Sequence, residues 1–437
     1  MNKSLMIFLI SLFVCLAFPG LSCKAEKTIP QPGNDKKETP QVTRGPHVEY
    51  QKATMEDIRK LSSNNNAFAL DLYRQLIKND KGNIFFSPYS ISTALAMTYL
   101  GAEGETAEEI KKTLHFNMEP SLLHSSFLGL LNHMENAQQG EAFKLVSANR
   151  LWIEQGYKFS KAFIDDCLLY YKAEPEDMNF NANPDESRER INKWVEKKTN
   201  DKIKQLLAEK TVTTDTRMVL TNAIYFKSRW MNEFSPNLTR RKDFYLNKNE
   251  KVEVQMMRKQ AEFAYAETDD YQLVVLPYLE GKLSMIILLP REIDGMQKVE
   301  AKLDLAGLND VMKNSRYPEV DLSLPKFETE SSFELKEVLE KMGMESAFQF
   351  GPADFSGMTG NRELFISAVV HKAFVDVNEE GTEATAATAV EMIAGSAPPR
   401  EPPEVIEFKA DHAFIFIIRD NQTENFLFMG RIMNPLK

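Results

Sequence analysis

The chain has 437 residues, 43% of them hydrophobic, and a formal net charge of −10. That acidic balance argues against nucleic acid as a partner, because phosphate binding needs clustered Lys and Arg. Length alone would fit two or three domains, yet no Pro/Gly-rich linker and no internal repeat interrupts residues 60–437.

Lys3 opens the chain, and the apolar stretch from Leu5 to Phe18 reads as an export signal, too short for a comfortable membrane span. Gly20-Leu21-Ser22-Cys23 is similar to a bacterial lipobox, in which Cys23 would carry the lipid and become the mature N-terminus. Gly20 departs from the usual Leu, so plain cleavage without lipid stays open. Residues 1–22 are thus expected to form a lipoprotein or secretory signal and residues 23–50 a polar, disordered tether. A coil of about 26 residues reaches roughly 28 Å. This reading implies export from a bacterial cell, with the body lipid-anchored to the envelope or surface, or secreted. Cys15 lies in the leader, so Cys167 alone remains in the body, without an intramolecular disulfide partner. It reads as a small apolar side chain in a helix.

Helical periodicity is predicted over Asn65–Ile77, over the mostly apolar Ile91–Leu100, over Thr106–Leu114 with Thr106 as N-cap, and over Ser187–Lys198. Buried strands are predicted over Val219–Phe226, Leu273–Tyr278, Lys282–Leu289 (with Glu280-Gly281 as the turn), Val320–Leu324, Leu364–Val377 and His412–Ile418. Helices dominate the first half and strands the second, an α+β pattern. Trp194 and Trp230 read as core anchors, and Lys111-Lys112 and Lys197-Lys198 as solvated helix faces.

No set of catalytic residues stands out. The six His are scattered, and there is no His-Glu-x-x-His, no Gly-x-Ser-x-Gly turn, no phosphate-cradling Gly loop and no CxxC pair. His371, inside an apolar strand, reads as a buried histidine with satisfied hydrogen bonds. The most informative stretch runs from Glu379 to Val390: Glu-Glu-Gly-Thr-Glu-Ala-Thr-Ala-Ala-Thr-Ala-Val, with a Pro-rich segment, Ala397 to Pro403, just beyond. If it became a strand, Thr382, Ala384, Ala386 and Thr388 would share one face, and all are small enough to be buried over a packed core. Glu383 and Thr385 would take the opposite face, and Gly381 would let the chain fold back. By composition alone, a mobile linker or a short helix fits equally well.

Glu379-Glu380-Gly381-Thr382-Glu383-Ala384 resembles the proximal hinge of a serpin reactive-centre loop. Further blocks agree in family order. Asn83-Ile84-Phe85-Phe86-Ser87-Pro88-Tyr89-Ser90-Ile91 is similar to the start of the family's helix B. Ile191-Asn192-Lys193-Trp194-Val195 with Thr199-Asn200 is similar to its helix F. Leu220-Thr221-Asn222-Ala223-Ile224-Tyr225-Phe226-Lys227 is similar to strand 3 of its main sheet. Leu324-Pro325-Lys326-Phe327, Ala353-Asp354-Phe355-Ser356-Gly357-Met358 and Phe426-Leu427-Phe428-Met429-Gly430-Arg431 complete the series.

The resemblance implies a single serpin domain over residues 51–437: an α+β fold with a large mixed sheet, further sheets, about nine helices and an exposed loop at about 379–405. It implies a monomeric protease inhibitor, not an enzyme, that forms a covalent acyl complex with its target protease. The hinge would comprise Glu379 to Ala384 with Thr385, Ala386, Ala387 and Thr388. Ser87, Ser90, Asn222 and His371 match the family's shutter, where polar groups fasten the middle of the main sheet. Family spacing puts the cut after the seventeenth residue counted from Glu379, at Gly395–Ser396. About 16 strand residues at roughly 3.3 Å each would span the body. Met392, Ile393 and Ala394 point to elastase- or subtilisin-like serine proteases, with papain-like cysteine proteases second; Arg400 falls late. Leu122–Ala137, where some members carry a basic polysaccharide-binding helix, has no Lys or Arg, so no heparin-type cofactor is expected, nor any metal or other cofactor. Membrane contact would run only through a lipid on Cys23. A non-inhibitory serpin-fold binding or carrier protein is the alternative.

Overall fold

The computed structural model describes residues 51–138, 143–156, 158–366, 369–382 and 405–437. Among them lie ten α-helices and three sheets.

The first helix, Met55–Asn79, is longer than its apolar pattern predicts because a capping box fixes its start. The Asp57 N–H donates to the Thr54 hydroxyl at 3.2 Å, and the Thr54 N–H donates to the Asp57 carboxylate at 2.8 Å. Its Asn64-Asn65-Asn66 run, a poor helix sequence, is buried because it serves the tertiary structure. Asn66, for example, donates to the Glu424 carbonyl and accepts from the Phe426 N–H, both at 2.8 Å. Helix Pro88–Tyr99 is buried along nearly its whole length, and helix Pro120–Ala137 packs beside the first. Thr106 is not a cap: helix Gly104–Thr113 begins two residues earlier, and the Thr106 hydroxyl is buried, accepting from the Asp354 N–H at 3.0 Å.

The main sheet has six strands in the spatial order Phe327–Glu334, Val370–Val377, Gly381–Thr382, Met218–Arg229, Phe143–Glu154 and Glu174–Met178. It is mixed, since the last pair is parallel. Its inner face rests on the larger core through Ile224, Phe226, Ala373, Val375 and Val377. Its outer face carries a smaller core, in which Ile191 and Val195 of helix Pro184–Lys198 cover Trp152 and Ala223. A second six-stranded sheet is antiparallel throughout: Ile84–Phe86, Phe426–Ile432, Phe414–Asp420, Leu283–Pro290, Tyr271–Pro277 and Ala264–Glu267. Glu280 and Gly281 turn its Tyr271–Pro277/Leu283–Pro290 hairpin with φ of 63° and 67°, the sign a tight hairpin requires. A third sheet contains Ile406–Lys409, Glu319–Pro325, Glu250–Glu262 and Arg240–Asn247. The segment between Thr382 and Ile406 therefore connects two different sheets.

The strand predicted over Leu364–Val377 forms only from Val370 onward. Before it the chain leaves the ladder, and the Ile366 N–H donates to the Ala347 carbonyl at 2.9 Å. Apolar character alone did not separate the strand from the packed segment feeding it.

Candidate functional site

Strands Val370–Val377 and Met218–Arg229 run parallel to each other, because each pairs antiparallel with the short piece Gly381–Thr382 between them. Thr382 stands opposite Val377 on one side and Ser228 on the other. Among the described residues no ladder joins the two long strands directly. The main sheet is thus bridged at one end by two residues.

The bridge is made by a tight reversal. The Asn378 N–H donates to the Gly381 carbonyl at 2.9 Å, and the Gly381 N–H donates back to the Asn378 carbonyl at 3.3 Å. A Cβ on Gly381 would lie 2.1 Å from the Ser228 carbonyl oxygen, so only glycine lets the backbones approach this closely. Thr382 is buried, and its hydroxyl shares a 2.8 Å hydrogen bond with the Tyr278 hydroxyl. Tyr278 stacks on Trp230 with ring centroids 4.6 Å apart. Trp230 Nε1 donates to the Asn378 carbonyl at 3.0 Å, and its backbone N–H donates to the Glu380 carbonyl at 2.8 Å. The Phe234 N–H donates to the Glu379 carbonyl at 2.8 Å. The Glu379 carboxylate accepts from Lys326 Nζ and the Thr239 hydroxyl, each at 2.8 Å. Burial pushes the Glu379 carboxyl upward, but these bonds outweigh it and hold the group below its ordinary value.

This differs from the sequence expectation, which kept the whole of 379–405 in an exposed loop. Glu379 and Glu380 form the turn, while Gly381 and Thr382 already belong to the sheet. The reason is that the chain has reversed by Gly381 and the small Thr382 side chain fits the buried face. Glu383, Ala384, Thr385, Ala386, Ala387 and Thr388, the bond Gly395–Ser396, Met392, Ile393, Ala394 and Arg400, and the lipidation candidate Cys23 all lie outside the described residues.

Farther along the sheet, three of the four shutter candidates come together. His371 is buried, and its Nε2 accepts from the Ser87 N–H at 3.0 Å. Burial drives the imidazole pKa down to about 3, so the ring is neutral and free to accept. The Ser87 hydroxyl donates to the Leu427 carbonyl at 2.7 Å and accepts from the Ser90 N–H at 3.1 Å, capping helix Pro88–Tyr99. Asn222 pairs through its backbone with Asn149, and its side chain lies outside what the structure describes.

Sequence reasoning missed the anchors of the reversal. Trp230 is a core residue as read, but its indole also holds Asn378. Lys326 lies in a family block and Tyr278 at a predicted strand end, but neither signalled a contact with the reversal, which each meets only through the fold. Trp194 packs partly buried against the smaller core. Cys167 is buried, and burial pushes its thiol upward, which fits an inert apolar role.

Comparison with known proteins places this geometry. Residues 63–435 match the family model described as serpin (serine protease inhibitor). The chain is 42% identical over 395 residues to serpin B3 of Homo sapiens, covering 86% of this chain and all of that protein. It is 42% identical over 387 residues to the leukocyte elastase inhibitor of Equus caballus, with 86% and 100% covered. A crystal structure of human thyroxine-binding globulin complexed with thyroine superimposes with a TM-score of 0.77 at 30% identity, covering 87% of this chain and 100% of that one. The chain belongs to the serpin family, whose members as a class are protease inhibitors and not enzymes.

Proposed function

We propose that this protein inhibits serine-type endopeptidases as a suicide substrate. The observation that carries this reading is the Gly381–Thr382 bridge between two parallel strands that, among the described residues, share no ladder of their own. The gap has the polarity an antiparallel newcomer needs, and the chain already enters it in register. Strand insertion after cleavage is established behaviour of serpins. In this protein the protease serine would attack the Gly395 carbonyl carbon, forming an ester and releasing the Ser396 amine. The loop would then insert before water hydrolyses the ester, carrying the protease along and distorting its active site. Roughly a dozen new ladder residues at about 1 kcal/mol each give on the order of 10 kcal/mol before entropy is subtracted. The uncleaved fold is accordingly metastable and held by a kinetic barrier.

Elastase- or subtilisin-like proteases are the proposed targets, supported by the apolar or small residues Met392, Ile393 and Ala394 and by the similarity to a leukocyte elastase inhibitor. Papain-like proteases come second. Residues 51–437 act as one domain and as a monomer, and lipidation of Cys23 after removal of residues 1–22 would tether it to a bacterial envelope. The similarity to a hormone-binding globulin favours a second reading, a carrier without inhibition. The small, already inserted Thr382 supports the first.

The test is to mix the protein separately with elastase, subtilisin, trypsin and papain, look for SDS-resistant complexes, and locate the new N-terminus by mass spectrometry. A 1:1 complex with elastase or subtilisin is expected. Cleavage of the loop by all four without any stable complex would overturn the proposal in favour of the carrier.

A further inference from the structure

A cavity of about 180 Å³ opens beside the shutter. Its inner walls are apolar: Leu95 and Met358 come from the larger core, Leu206 and Val212 from the smaller one. Met218 and Val370, at the starts of the two long strands, also line it. The polar lining residues are largely committed to their own segments. The Thr98 hydroxyl donates to the Leu95 carbonyl at 2.7 Å, and the Thr216 hydroxyl accepts from the Thr213 N–H at 3.0 Å. Arg217 Nη1 donates to the carbonyls of Thr214 and Thr216 at 3.0 and 3.1 Å. Asp215 and Glu363 are exposed to solvent.

His371 is the exception. Its ring lines the cavity while only 4% of the residue is exposed. Nε2 accepts from the Ser87 N–H, so in the neutral ring it is Nδ1 that carries the proton. Among the described residues nothing accepts from that Nδ1–H. A buried donor without an acceptor is costly, and the cavity is the space in which an acceptor can be placed. Apolar walls with one placed polar group are the pattern of a small-molecule site, the polar group fixing the ligand's orientation. A cavity of about 150 Å³ lined by apolar side chains holds benzene, so this one accommodates an aromatic ring with a short substituent. The ligand must also be uncharged. Arg217 is held by its own loop and the two carboxylates face water, so neither sign of charge finds a partner inside.

We infer that this cavity binds a small neutral molecule, an aromatic ring bearing a carbonyl, with the carbonyl oxygen accepting from His371 Nδ1–H and the ring lying against the starts of the two long strands. The site belongs to the uncleaved protein and does not depend on the insertion reading. A ligand there ties the two strands together and stabilises the uncleaved form by mass action.

Acetophenone is the probe, ethylbenzene its counterpart without an acceptor, and benzoate its charged counterpart. Acetophenone should raise the melting temperature of the uncleaved protein in a saturable way. Ethylbenzene should bind about tenfold more weakly, the loss expected for one hydrogen bond, and benzoate more weakly still. In nitrogen-15-labelled protein the His371 Nδ1–H resonance, identified by its loss in His371→Gln, should move downfield with acetophenone and not with ethylbenzene. Ala94→Phe fills the cavity from helix Pro88–Tyr99 and should abolish both responses. Should that variant not fold, the His371 resonance of the wild type decides alone. No saturable response to acetophenone, equal affinity for ethylbenzene, tightest binding of benzoate, or an unmoved His371 resonance overturns the inference.

Discussion

In the second sheet, the strand Leu283–Pro290 is buried at every position and laddered on both sides, to Tyr271–Pro277 and to Phe414–Asp420. In the main sheet, Val370–Val377 is laddered along its full length to Phe327–Glu334, but on its other side, among the described residues, only Val377 is paired, to Thr382. Both strands come from apolar stretches, yet among the described residues one is laddered on both sides and the other meets its central neighbour through Thr382. Backbone N–H and C=O groups favour being paired when buried. On the insertion reading proposed above, the main sheet therefore holds free energy that the second sheet has already released. Where the loop enters, the main sheet is held by the Trp230–Tyr278 stack, the Tyr278–Thr382 hydrogen bond and the Lys326–Glu379 ion pair.

The comparison is sharpened most by cutting the loop. A nick between Gly395 and Arg400 should raise the melting temperature by roughly 20 °C, taking on the order of 10 kcal/mol of new ladder bonds and a few degrees per kcal/mol for a body of this size. An unchanged transition in scanning calorimetry would mean that the main sheet is as complete as the second one.

Thr382→Arg ranks next. Thr382 is 1% exposed, wedged between Val377 and Ser228. Burying a guanidinium there costs several kcal/mol, so the bridge would be expelled and insertion blocked at its first step. The variant should be cleaved as a substrate, with the partition between complex and cleaved product shifted more than about tenfold toward product, since 1.4 kcal/mol is a factor of ten. Retained inhibition would show that the bridge is not the entry point.

His371→Ala should act more mildly. It leaves the buried Ser87 N–H without its acceptor, at a cost of about 1–3 kcal/mol, read as a lower denaturation midpoint of the uncleaved protein. An unchanged midpoint would remove the shutter role.

The smallest effect belongs to pH. The Glu379 carboxyl is held below its ordinary value when folded, so its contribution is present above the unfolded pKa and fades as pH falls through the folded one. The melting temperatures of wild type and Glu379→Gln should therefore differ near neutral pH and converge in acid. A difference that persists at low pH would exclude the Lys326 ion pair as its source.

Much of this protein was legible locally. The α+β order, the strand around Ala223–Phe226, the Glu280-Gly281 turn and the run of small residues after Gly381 all announce themselves by period, composition or backbone permissiveness. The neutral, hydrogen-bonded character of His371 follows from an apolar strand that must satisfy its polar members. Other features were not legible. Nothing near Lys326 marks it as the partner of Glu379, and nothing near Tyr278 marks it as the partner of Thr382. Thr106 looked like a cap because its local pattern fits one, and only the packing of Asp354 against it shows a buried hydroxyl.

By itself, the sequence determined which segments prefer helix or strand and which stretch of loop is small enough to be buried, because these depend on near neighbours and side-chain size. The tertiary structure alone decided that two strands distant in sequence stand parallel, that Gly381 and Thr382 pair between them, and that Tyr278, Trp230 and Lys326 meet the reversal that leads there. Such facts arise from which surfaces meet across the chain, and no local pattern encodes them.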